Sequence, residues 1–223
     1  MQDNRIRIFT GHFGSGKTEI SINYATQLAK QNKSTCIVDL DIVNPYFTVR
    51  EIRPYLESLG IRVVSPSIEI TTAELSTVPA EVLTVFNNKS YDVVLDIGGD
   101  NIGCVVLGQY NRFLIQEPYD MYFVINTNRP FTSDAAGIIE YINSIERASR
   151  LKVSYLINNT NMSYETKVED VIAGDNIIKG VSEKLNIPIR FTCVREDLAD
   201  KLPMGLSGEI FKINIFMKPA WLE

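Results

Sequence analysis

Apolar residues along this chain alternate between two patterns: short near-continuous runs, and stretches that recur every three or four residues. Ile6, Ile8 and Phe9 sit in a run that predicts a strand over Arg5–Thr10. Ile20, Tyr24, Ala25 and Leu28 then recur at helical spacing as far as Lys30. A second strand, Ser34–Asp41, ends in the two carboxylates Asp39 and Asp41, and Asn44–Phe47 reads as a turn. A helix within Val49–Leu59 closes at Gly60, with Pro54 marking a break or a fresh start. Ile61–Val64 reads as a strand, Thr71–Asn87 as a helix split at Pro79, and Tyr91–Asp96 as a strand. Gly98–Asp100 is a loop, followed by a helix over Val105–Gln116. Tyr119–Asn126 is a strand, Ser133–Arg150 a helix and Val153–Asn158 a strand. Val168–Leu185 is a helix weakened in its first part by Gly174, and Pro188–Val194 is a strand.

The stretch Glu209–Lys218 alternates with period two. Phe211, Ile213, Ile215 and Met217 share one face, which predicts a strand with Ile210 and Phe216 partly exposed. An amphipathic membrane helix would need the 3.6-residue period and a more basic polar face. The pattern leaves Trp221 undecided. Strands alternating with helices, and apolar throughout, predict a doubly wound, mostly parallel sheet with helices on both faces. No repeat or linker interrupts the pattern, so residues 1–223 read as a single three-layer α/β/α domain. In such a fold, ligands bind at the carboxyl ends of the strands.

Between the first strand and helix lies Gly11-His12-Phe13-Gly14-Ser15-Gly16-Lys17-Thr18. Gly11, Gly16, Lys17 and Thr18 fill every fixed position of the phosphate-binding pattern G-x-x-x-x-G-K-[ST]. Glycines let backbone N–H groups approach phosphate oxygens, and the new helix turns its positive end toward the same anion. Lys17 would reach the terminal phosphates and Thr18 would ligate Mg²⁺.

Composition changes the picture little. With 45% hydrophobic and 22% charged residues, the chain has the make-up of a soluble globular protein. A net charge of −5 supplies no global basic field for nucleic acid. Three widely spaced cysteines, Cys36, Cys104 and Cys193, form no C-x-x-C pair and suggest neither zinc nor a disulfide framework. No signal core or transmembrane-length run is visible, so a cytoplasmic location is expected.

Three carboxylates mark strand ends: Asp39, Asp41 and Asp96. Asp96, after Val93-Val94-Leu95, has the Walker-B pattern and is expected to reach Mg²⁺ through a water, beside Gly98 and Gly99. Asp39 and Asp41 share a face if the strand continues through both, one turned to the metal and the other to the attacking water. Asp39, Asp96 and Thr18 are the expected metal set, with Lys17 and Asp41 in the catalytic roles.

The phosphate loop, the Asp39-x-Asp41 element and Asp96 together resemble the MinD/ParA-type P-loop ATPases, within the wider SIMIBI class. Typical members carry a second lysine directly after the first loop glycine, which reaches the partner's phosphates in a nucleotide-sandwich dimer. Here that position is His12, the chain's single histidine. It is a plain loop residue or, when protonated, a phosphate contact; Arg50, Arg53 or Arg129 are alternative cations.

The resemblance also implies that Asn158 lies near the base, its amide offering a donor and an acceptor. Val194 and Arg195 follow the next strand and would cover the base's other side. GTP-selective relatives use N-K-x-D, whereas the run here is Asn158-Asn159-Thr160-Asn161 and lacks the aspartate. ATP is therefore expected over GTP, with residues 11–18, Asn158, Val194 and Arg195 as the nucleotide site.

Three functions follow: a slow Mg-ATPase switch acting on a partner protein or a second copy; a small-molecule kinase or ATP-dependent ligase or synthetase; or a binding scaffold. An acceptor pocket for the second would use Tyr46, Phe47, Asn101 and Arg129. The tail lacks the tyrosines of bacterial tyrosine kinases, the loop is not the G-x-G-x-x-G of dinucleotide sites, and no histidine stands ready for a serine or cysteine hydrolase.

Overall fold

The computed structural model describes residues 3–41, 48–65, 80–99 and 101–217. Among these described residues, eight strands form one parallel sheet: β1 (Ile6–Thr10), β2 (Thr35–Leu40), β3 (Arg62–Val64), β4 (Asp92–Ile97), β5 (Tyr119–Ile125), β6 (Tyr155–Asn158), β7 (Ile189–Arg195) and β8 (Glu209–Ile213). Their spatial order is β3-β2-β4-β1-β5-β6-β7-β8, with every recorded pairing parallel. The central strand β1 therefore lies between β4 and β5.

Side chains alternate across the sheet and feed two apolar cores. Ile6, Ile8, Cys36, Val38, Val93, Leu95, Met121 and Phe123 face one core; Phe9, Ile37, Val94, Tyr122, Val124 and Ile157 face the other. Helices α1 (Lys17–Lys30) and α2 (Arg53–Ser58) cover the second face. On the first face pack α3 (Ala80–Asn87), α4 (Asn101–Gln109), α5 (Asn111–Leu114), α6 (Ala135–Ser149) and α7 (Val168–Leu185). A short helix, α8 (Glu196–Ala199), follows β7. This is the expected three-layer α/β/α arrangement.

Several boundaries differ from the sequence pattern for local reasons. Pro54 starts a helix rather than breaking one: a 3-10 turn, Val49–Ile52, precedes α2, in which Pro54 is the second residue. The helix expected over Val105–Gln116 begins earlier, at Asn101, and divides at Tyr110. There the turn tightens through Tyr110 N–H to Leu107 O, and Arg150 takes the Gly108 carbonyl (2.7 Å). Gly174 does not weaken α7. A Cβ there would fall 2.1 Å from Thr160 Oγ1, so glycine is what lets the helix lie against the end of β6.

The strand expected over Glu209–Lys218 stops at Ile213, because the backbone of Asn214 bonds the side chain of Asn23 instead of the sheet. Ile210 is 41% exposed and Phe216 half-buried, as the alternation predicts. The Asn44–Phe47 turn, the first part of the Thr71–Asn87 helix, Asp100 and Trp221 lie outside the described residues.

Candidate functional site

The turn from β1 into α1 places Gly16 at the helix N-cap in the left-handed region (φ +88°). A Cβ there would also fall 2.3 Å from Asn159 Nδ2, so the position demands glycine twice over. Lys17 is buried and its Nζ donates to His12 O (3.3 Å). The loop is braced from two sides: Asn159 Nδ2 donates to Ser15 O (2.7 Å), and Arg129 Nε donates to Gly14 O (3.0 Å).

Alternation also aims the carboxylates. Asp39 and Asp96 share the parity of Ile37 and Val94, hence the face that carries α1. They are direct neighbours in the register of β2 and β4. Strand β2 ends at Leu40, so Asp41 is not a continuation of the ladder; its N–H donates to Asp39 Oδ1 (3.1 Å). Asp41 instead lines the cleft beside Lys17 and Thr18. Gly98 and Gly99 press onto the same place: a Cβ on Gly98 would lie 3.0 Å from Asp41 Oδ1, and one on Gly99 2.5 Å from Lys17 Nζ.

Two of these carboxylates are buried beside each other with little to offset their charge. Asp39 Oδ2 and both oxygens of Asp96 lack a hydrogen-bond partner of good geometry among the described residues. Burial, reinforced by the Asp39 charge, pushes the Asp96 carboxyl up to about 8, although Thr18 and Lys17 oppose the rise. Burial pushes Asp39 up to about 6 against the pull of Arg50, whose Nε stands 3.7 Å from Asp39 Oδ2. A buried pair of like charges, with orphaned oxygens beside the Thr18 hydroxyl, fits the hard oxygen-ligand chemistry of Mg²⁺.

A cavity of about 360 Å³ joins this region to the ends of β6, β7 and β8. At its loop end stand Phe13, Gly14, Gly16, Lys17, Thr18 and Asp41. At its far end stand Thr160, Asn161, Cys193, Val194, Ile213 and Met217. Arg195 also lines it, with its guanidinium held by Asp197 (2.9 and 2.8 Å) and Ser163 O (2.8 Å). Gly14, Val194 and Arg195 thus line one cleft.

Asn158 is placed differently. It is fully buried, donates from Nδ2 to Val171 O (3.2 Å) and accepts Thr160 N–H (3.1 Å) at Oδ1. It holds the β6 turn, and its successors Asn159, Thr160 and Asn161 face the cleft. His12 does not line the cleft either. Its Nδ1 meets Phe13 O (2.8 Å), and its ring packs against Phe131 and edge-on to Tyr141, whose hydroxyl donates to Gly99 O. Arg53 bonds Val63 O and Ser65, away from the loop.

Sequence reasoning left Glu19, Asn159, Ile213, Ile215 and Met217 out of the site. The shared face of Ile213, Ile215 and Met217 was the available signal. It showed alternation, but not what that face would meet.

A phosphate-type loop, an adjacent parallel strand ending in buried carboxylates, and a cleft at the strand-order switch beside β1 define a SIMIBI-class P-loop fold. Residues 6–189 match the model of the CobQ/CobB/MinD/ParA nucleotide binding domain, and the chain belongs to that family. No curated protein matches the chain. Among solved structures, the cell division protein FtsY from Thermotoga maritima is similar with a TM-score of 0.60 at 19% identity, covering 88% of this chain and 64% of that one. FtsY from Elizabethkingia anophelis in complex with GDP gives 0.59 at 16%, covering 88% and 58%. A nucleotide-binding protein in complex with ADP from Archaeoglobus fulgidus gives 0.53 at 16%, covering 87% and 84%. The chain therefore spans less than two thirds of these FtsY structures, and the likeness is one of fold. Among the described residues, no helix is long and apolar enough to cross a membrane.

Proposed function

We propose that this chain is a Mg-dependent ATP-binding protein that hydrolyses ATP slowly and acts as a MinD/ParA-like switch in the cytoplasm. The observation that carries the reading is the meeting of Lys17, Thr18 and Asp41 at one end of the cleft, with Asp39 and Asp96 buried behind them. Backbone N–H groups of residues 14–18 and the Lys17 ammonium would bind the phosphates. Thr18, Asp39 and Asp96 would hold Mg²⁺, which neutralises charge on the terminal phosphates when bound. Asp41, exposed to the cleft where Asp39 and Asp96 are not, would orient the attacking water. Arg129, tied to the Gly14 carbonyl, is a cation beside the loop within this same chain.

Adenine is favoured at the far end. Among the described residues, its lining includes no carboxylate apart from Glu19, and both Glu19 oxygens accept backbone N–H groups. A guanine clamp of the usual kind requires a carboxylate for the base's N–H groups. Asn161 is neutral and already donates to Asn159 O (2.7 Å) and accepts Ser163 N–H (3.1 Å).

The test is binding and molar mass with Mg²⁺ and a non-hydrolysable ATP analogue, with turnover measured separately on ATP. Wild type binds, and nucleotide-dependent dimerisation supports the switch. Lys17→Ala loses more than about tenfold in affinity, whereas Asp41→Ala keeps binding and loses turnover. A Lys17→Ala chain that binds like wild type would overturn the site. A tight-binding chain that never changes its mass would overturn the dimeric switch.

A further inference from the structure

Beyond β8 the chain leaves the sheet and runs along the first turns of α1. Asn23 grips Asn214 as a strand neighbour would: its Oδ1 accepts Asn214 N–H (2.8 Å) and its Nδ2 donates to Asn214 O (2.9 Å). One turn earlier on the same helix face, Glu19 accepts Phe216 N–H at Oε1 (2.6 Å) and Met217 N–H at Oε2 (3.1 Å). Asn23 Nδ2 also donates to Glu19 O (2.8 Å), so the two grips form one unit. Four hydrogen bonds over four residues hold this segment where no strand ladder does. Phe216 is turned to the ring of Tyr55 (5.5 Å), while Ile215 and Met217 line the cleft beside Ile213, Cys193 and Val194.

Glu19 stands directly after Thr18. The first turn of the helix that follows the phosphate loop therefore also carries the clamp for an apolar wall of the same cleft. Charged phosphates gain nothing from isoleucine and methionine side chains; the flat face of a nucleobase does.

We propose that Ile215 and Met217, carried on the segment Asn214–Met217, are the wall against which the base of a nucleoside phosphate packs, and that Glu19 and Asn23 are the positioning residues that latch this segment to the helix that follows the phosphate loop. This rests on the nucleotide reading above and adds the residues that recognise the base. Affinity for the base is then set by a segment some 200 residues away in sequence from the loop that holds the phosphates.

The experiment compares Mg-ATP with Mg-tripolyphosphate, which has the same phosphates and no base, by calorimetry. The proteins are wild type, Glu19→Ala, Met217→Ser, the double variant Ile215→Ser/Met217→Ser, and Met217→Leu. Losing the wall or its latch lowers ATP affinity by about tenfold, in line with the apolar area withdrawn from the base. Tripolyphosphate affinity stays within about twofold of wild type, which also reports that the loop remains folded. Met217→Leu restores ATP binding. Equal losses for ATP and tripolyphosphate would show that the segment merely supports the loop and would overturn the wall. Wild-type ATP affinity in the double variant would do the same. A wild-type chain that binds tripolyphosphate but gains nothing from the base overturns the wall and leaves the phosphate site standing; one that binds neither ligand overturns the nucleotide reading itself.

Discussion

At the amino ends of the strands, acids are closely paired with arginines; at the carboxyl ends of β2 and β4, two buried acids crowd together with one arginine, Arg50, 3.7 Å from Asp39. Arg5 pairs with Glu117, Arg7 with Asp92 (2.5 Å), and Arg190 with both Asp3 (3.4 Å) and Glu209 (2.6 Å). At the other end of the same sheet, Asp39 and Asp96 are register neighbours whose buried oxygens include three without a hydrogen bond among the described residues. One sheet, with similar apolar strands, thus has an end where acids are closely paired within the chain and an end where buried carboxyls are crowded together. The first arrangement stabilises the fold. The second makes sense as a place prepared for a charged ligand, and perturbed carboxyls of this kind gather at such sites.

The largest expected effect that separates the two ends comes from Arg7. Its side chain is almost fully buried and its guanidinium lies over the Tyr24 ring (5.6 Å). Arg7→Ala empties that space and leaves Asp92 without its closest partner, at a cost of about 3 kcal/mol. The denaturation midpoint falls, while the nucleotide affinity of the protein that remains folded is unchanged. If affinity falls in step, the ends are not independent.

Asp96 should show an opposite and pH-dependent effect. Its folded carboxyl titrates up to about 8, against an ordinary value of 3.8. The folded state therefore holds an extra proton between those values, and stability falls as pH rises through that window, by at most about 1.4 kcal/mol per pH unit. In the metal-free and nucleotide-free protein, Asp96→Asn removes this contribution. Melting temperatures at pH 5, 7 and 9 should diverge, with the variant gaining on wild type as pH rises. Parallel curves would mean that the carboxyl is not held in its neutral form.

The smallest effect is at Glu117, where Arg5 and then Lys89 hold the carboxyl below its ordinary value of 4.5. The sign is reversed here. Its contribution is fully present above that value and is lost as pH falls through the lower folded one. Glu117→Gln should cost under about 1 kcal/mol at neutral pH, since the pair is partly solvated. The difference from wild type should shrink in acid, as acid titration of the unfolding midpoint would show.

These contrasts explain what could be read in advance. The loop from Gly11 to Thr18 is legible because phosphate binding by backbone amides requires glycines and a lysine at fixed local spacing. Alternation in β2 and β4 is local too, and it put Asp39 and Asp96 on one face. The β6 turn was legible only in part. Asn158 and Asn159 are adjacent and chemically identical, and which of them faces the cleft depends on where the strand ends and how closely α7 approaches at Gly174.

The sequence by itself determined the α/β class, the phosphate loop and the strand-end carboxylates, because each rests on residues within a few positions of one another. Tertiary structure alone decided that Arg129 and Asn159 brace the loop, and that the chain after Ile213 abandons the sheet for α1. Those outcomes turn on hydrogen bonds between residues more than a hundred positions apart. No local pattern encodes such a partner; only the closing of the sheet around β1 brings it within reach.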